Sequence, residues 1–214
     1  VAGNSALSTA SIDAARGVDR ARQYSVAMLG LLVHPRRTLA AAAAAPRPGV
    51  GVAAVVGTGV VSLGLDLAAA AVGNGGSAAV ILSLAIPLML GAFWLVSGLL
   101  VGAGARLMGH APRRRDLLAV TGLTFPVLVL YSAIALVQAA STHWGGDALA
   151  TGVGLGALPL VCWFVVLNTI AVRAIYDTPA LSAVAITLIP YAALSGVLLL
   201  LVIVLSVLHS AGAV

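Results

Sequence analysis

Few residues in this chain have the type and spacing for chemistry. Asp66 is the one ionisable residue inside a long apolar run. A carboxylate within hydrocarbon is costly, so by default it marks a proton or cation path. The plainer role is a helix-to-helix contact, protonated or hydrogen-bonded. Partners expected at its depth are Ser83, Gln138, Thr151, Ser206 and His209, and no second acid stands by for a proton relay. Asn168 lies in a later apolar run at a different depth, so the two should not pair. It suits an interhelical hydrogen bond of about 0.6 kcal/mol. Asp66 and Asn168 are the candidate intramembrane polar site.

Other chemistries find less support. His34, His110, His143 and His209 have no helical ligand spacing. The one cysteine, Cys162, excludes an intrachain disulfide and a Cys-rich zinc site, and inside an apolar run it behaves as a small hydrophobe. No catalytic residue, cofactor or metal ligand is expected. The glycines at 152, 154 and 156, and those at 57 and 59, have no preceding strand and no following Lys-Ser/Thr. They read as sites of close helix packing, as do Gly98 and Gly102. No Asp stands in the strand-turn-helix setting that a Ser-His-Asp arrangement needs.

The elements that must hold these residues follow from composition. Of 214 residues, 61% are hydrophobic and only 8% charged, with mean hydropathy +1.13. Soluble domains carry about 25% charged residues, so this is an integral membrane protein. All eleven strong cations are arginine and all six anions aspartate. That bias fits GC-rich codons and a prokaryotic source. The net charge of +5 gathers at helix ends. Anionic lipid headgroups, not nucleic acid, are its expected counter-charge.

The spacing predicts an all-α integral membrane protein, a five-transmembrane-helix bundle with short amphipathic N-terminal interfacial helices. The spans are expected at 51–72, 78–107, 117–140, 148–175 and 181–208, each long enough to cross. They must be helices, because lipid offers an open backbone no partner. The chain divides into a cytoplasmic segment with interfacial helices at 1–48, a membrane domain at 49–209 and an external tail at 210–214. The first residues are small and polar and do not read as a signal peptide. Two short helices, at 26–33 and from Leu39 to before Pro46, are expected along the interface. Thr38 would cap the second, with leucines toward acyl chains and arginines toward headgroups.

Orientation comes from the arginines. Six precede the first span, four stand at the end of the second or in the loop after it, and one stands at the end of the fourth, at Arg173. The remaining connections and the tail have none. All eleven then share one side, which the positive-inside rule makes cytoplasmic. Residues 93–131, with the basic loop at 109–116, organise this map. The inner membrane is the expected location, with the N-terminus cytoplasmic and the C-terminus external. Arg36, Arg37, Arg106, Arg113, Arg114 and Arg115 are the expected headgroup contacts. Trp144 and Tyr176 read as interfacial anchors, Trp94 and Trp163 as packing residues. Pro87, Pro126, Pro159 and Pro190 fall one in each of the last four spans, and each should bend its helix.

The pattern resembles the Yip1 domain family in its prokaryotic branch. Leu32-Val33-His34-Pro35-Arg36-Arg37-Thr38-Leu39 is similar to the family's Pro-x-x-Thr-aromatic segment, with Leu39 in the aromatic place. Ala105-Arg106-Leu107-Met108-Gly109-His110 resembles its Leu-x-Gly-Gly turn, with His110 for the second glycine. Arg115 to Pro126 resembles its Phe-Arg-Glu-Leu-Leu … Gly-Tyr … Pro run, and Cys162-Trp163 with Val172 to Tyr176 its Ile-Trp … Leu … Arg/His segment. The resemblance implies a cytoplasmic N-terminal segment, five spans and a non-enzymatic role. That role is a scaffold or accessory subunit that packs against partner membrane proteins or shapes the bilayer, partnered with the bilayer and with other membrane proteins or further copies of itself. The alternative is a transporter or channel component using Asp66 and the proline-bent helices.

Overall fold

The computed structural model describes residues 30–73 and 75–210, without the side chains at 143–145, 147–150, 198 and 201–210. Residues 1–29 and 211–214, which include most of the first expected interfacial helix and the tail, lie outside the described residues. The described chain is helical: α1 Pro35–Ala44, α2 Pro48–Val72, α3 Ser77–Leu107 and α4 Arg114–Gly122, then a 3-10 turn Phe125–Val127, α5 Leu128–Leu155, α6 Ala157–Tyr176 and α7 Ala180–Ser210. Five stretches are long and apolar enough to cross a membrane: Pro48–Val72, Ser77–Leu107, Arg114–Thr142, Thr151–Tyr176 and Ala180–Val197.

Proline sets several boundaries. Pro48 opens α2 at a position where the missing amide costs nothing. Pro126 has no N–H for the Gly122 carbonyl, and α4 ends at Gly122. The third crossing is therefore broken, not merely bent. The gap is closed by i+3 bonds, Leu123 N–H to Val120 O and Val127 N–H to Thr124 O. Pro159 interrupts the fourth crossing, Thr151–Tyr176, in the same way. It has no N–H for the Leu155 carbonyl, α5 ends at Leu155, and α6 starts only after Gly156. Pro87 and Pro190 lie inside α3 and α7.

Two expected features take a different form. The stretch around residues 141–147 is helical on both sides of a single break at Gly146, where φ is 69° and ψ −172°. Only glycine adopts that conformation freely. The helix expected from Leu39 begins at Pro35, with His34 rather than Thr38 at its cap. Thr38 is inside it, its hydroxyl donating to the His34 carbonyl at 3.1 Å.

The core lies at one end of the bundle. Leu39, Leu117, Val120, Leu167, Val172 and Ile186 are all fully or almost fully buried in one cluster. Leu39 thus faces protein, not acyl chains, and α1 packs on α6 and α4. Leu31, in the helical turn at 30–33 before α1, joins the same cluster. A second cluster continues it along the bundle with Val55, Trp94, Phe125 and Phe164, the last two rings meeting edge to face with centroids 5.4 Å apart. Elsewhere the spans present large apolar side chains outward, as α3 does with Ile81, Leu82, Leu88 and Leu99. Lipid tails are as apolar as leucine, so such faces carry no penalty there.

Candidate functional site

The intramembrane carboxylate is held by its neighbour helix. α2 and α5 pack extensively, and the Ser132 hydroxyl donates to Asp66 Oδ2 at 3.1 Å. Ser132 is buried and Asp66 half-buried. Ser132 was not among the partners expected from depth, although the signal was present. It lies as far past Leu117, the expected start of the third span, as Asp66 lies past Gly51, and both spans run the same way. Ser83 instead donates to its own helix, at the Ala79 carbonyl. Gln138 packs its side-chain amide against Gly154.

Asn168 forms a separate contact toward the packed end. Its Nδ2 donates to the Phe164 carbonyl at 2.9 Å, which fixes the amide and leaves Oδ1 as an acceptor. The Thr124 hydroxyl lies 3.3 Å from that oxygen and 2.7 Å from the Thr121 carbonyl. With one proton to give, Thr124 bonds mainly to Thr121 and reaches Asn168 weakly. Both contacts sit where Pro126 breaks the third crossing, so the side chains hold a stretch with fewer helical bonds.

Beside Asn168 is a small cavity of about 20 Å³ between α3, α6 and α7. Trp94, Ser97 and Thr187 line it. Their polar atoms, Trp94 Nε1, Ser97 Oγ and Thr187 Oγ1, are buried without a hydrogen-bond partner in the protein.

The arginines lie at the other kind of site. Arg36, Arg37, Arg106, Arg113, Arg114 and Arg115 are all exposed. Of these six, Arg113 alone has a side-chain hydrogen bond or ion pair among the described residues. Its Nη1 donates to the Ile175 carbonyl at 2.8 Å and its Nε lies 3.3 Å from Asp116 Oδ2. The first bond satisfies an end carbonyl of α6 and sets a cation at the negative end of the helix. It also joins the loop after α3 to the end of α6, so both are at the same end of the bundle. Tyr176 is not an anchor facing headgroups. It is 8% exposed, and its ring packs on His110 with centroids 5.6 Å apart. Trp94 is buried and Trp163 packs at the edge of the core, while the Trp144 side chain lies outside the described residues. Among the described residues His, Cys and Asp do not gather in groups of three or more that could hold a metal ion.

The family model of the Yip1 domain matches residues 29–203, most of the chain and every span. The chain belongs to the Yip1 domain family. No curated protein and no solved structure matches it. The matched range begins just before the described residues and takes in α1, which agrees with α1 sharing the core of the spans. The Yip1 segments carry turns and packing: His110 closes the turn after α3 and stacks on Tyr176, and Pro126 divides the third crossing.

Proposed function

We propose that this Yip1 family protein is a non-enzymatic membrane scaffold or accessory subunit. The observation that carries the reading is its polarity. The packed end holds the core, and the exposed arginines of α1 and of the loop after α3 surround it. The rest of each span offers apolar surface to lipid or to other helices. This suits a part that grips one leaflet by charge and docks partner helices by shape, with self-association as one form of docking. The reading places the arginine-bearing end in the cytoplasm, the membrane as the inner one and the C-terminus outside. Asp66 takes a structural part in it, as the acceptor of a serine bond between α2 and α5.

Affinity capture from native membranes tests the role. Membrane proteins recovered in stoichiometric amount, or a second copy of the chain, are the expected result. Loss of ion or substrate flux in Asp66→Asn liposomes, with the fold intact, would instead establish the transporter alternative. Orientation is read by single cysteines at Ala111 and Gly76 in a Cys162→Ala background. Only Ala111→Cys should be shielded from an impermeant thiol reagent applied outside.

A further inference from the structure

A groove of about 980 Å³ opens between α1, the start of α2 and α4. Its polarity is ordered. Thr38 and Arg47 line its head, and Val50, Ala53, Val120 and Leu123 line its floor, with alanines and prolines between. Arg47 caps α2 and Ala53 stands inside it, so at 1.5 Å per residue the floor reaches about 9 Å deeper along the helix than the Arg47 backbone. That is the direction from headgroup to acyl chain. Arg47 is the one charged residue on the lining, and no acidic residue lines it. Among the described residues the guanidinium has no ion-pair or hydrogen-bond partner. Nor does α2 have an acidic residue in its first turn, so the positive end of its dipole is unopposed there. Small side chains create the slot, since alanine dominates the α1 face.

We propose that this groove holds one anionic phospholipid. Its phosphate sits on Arg47 and the start of α2, and an acyl chain lies along Val50, Ala53 and Leu123. The charge argues for an anionic headgroup, and the apolar floor argues for a chain rather than a free phosphate. The site rests on the membrane reading alone. It does not depend on the scaffold role.

The test uses the full chain in nanodiscs with trace phosphatidylglycerol or phosphatidylcholine bearing a photoreactive acyl chain. Peptide mapping should place the label at residues 50–53 and 119–123. The anionic lipid should label about fivefold more than the zwitterionic one, the weight of one arginine near a lipid surface. Arg47→Gln should remove that preference while Arg47→Lys keeps most of it, and Ala53→Phe should lower labelling by both lipids. Equal labelling by the two lipids in the unmodified protein would overturn the proposal, as would a preference unchanged in Arg47→Gln. So would a disulfide that forms readily between a cysteine placed at residues 26–29 and Ala53→Cys in a Cys162→Ala background, because the chain's own N-terminal residues would then fill the groove.

Discussion

Gly51 and Gly122 meet backbone to backbone. A β-carbon on Gly122 would lie 2.6 Å from the Gly51 Cα, and one on Gly51 would lie 2.7 Å from the Ala119 carbonyl oxygen. No side chain separates α2 from α4 there, and backbone cannot swing away as a side chain can. Gly51→Ala and Gly122→Ala should each destabilise the protein by about 1–3 kcal/mol, the range for overpacking a close contact. Gly57→Ala is the control, with nothing within 4 Å of its added carbon, and alanine's helix preference should leave it neutral or slightly stabilised. Unfolding midpoints in detergent check this. Equal effects at all three positions would mean that the contact is loose.

Arg113 makes two contacts of unequal worth. The ion pair with Asp116 is at the surface, where such pairs contribute about 0–1 kcal/mol. The bond to the Ile175 carbonyl closes the end of α6. Arg113→Gln should therefore cost more stability than Asp116→Asn, by about 1 kcal/mol. Arg115, which makes neither contact, should tolerate glutamine without loss of stability. Chemical denaturation of the three variants in one detergent decides the order.

Thr187 is 1% exposed, and its hydroxyl has no partner in the protein. Threonine and valine have nearly the same shape. An unpaired buried hydroxyl carries a desolvation cost of about 1–3 kcal/mol. Thr187→Val should thus raise the unfolding midpoint. Thr121→Val should lower it, because the buried Thr121 hydroxyl donates to the Leu117 carbonyl at 2.7 Å. Scanning fluorimetry of the pair reads the contrast directly.

The spans were legible because hydrocarbon allows one answer, a helix of sufficient length, and the arginine alternation counted them. Charge and hydropathy carry no information on which helix touches which. Hence Leu39 read as lipid-facing when it fills the core, and Tyr176 read as an anchor when it stacks inside on His110. Pro126 and Pro159 each end a helix four residues back, at Gly122 and Leu155, whereas Pro87 and Pro190 lie inside continuous helices. The residue type excludes a helical bond, but whether the chain bends or breaks there depends on its neighbours. The backbone contact between Gly51 and Gly122 fell at the edge of an apolar run, where nothing in the pattern distinguished it. Ser132 stands as far into the third span as Asp66 stands into the first, and the two spans are parallel, so equal depth points to the donor.

Asp66 and Ser132 provide the last test, because one bond joins α2 to α5 inside the apolar layer. Interhelical hydrogen bonds in membranes average about 0.6 kcal/mol and reach about 1.7 kcal/mol. Asp66→Asn keeps an oxygen to accept from Ser132 and should change stability little. Asp66→Leu removes the acceptor. Freed of it, Ser132 can turn to its own helix and donate to a carbonyl one turn back, as Ser83 and Thr121 do, so the loss should be small. A double-mutant cycle of Asp66→Leu with Ser132→Ala should give a coupling of about 0.6–1.7 kcal/mol. A coupling near zero would mean that the two side chains are neighbours without a bond that matters, and Asp66 would then need another reason to stand in a membrane helix.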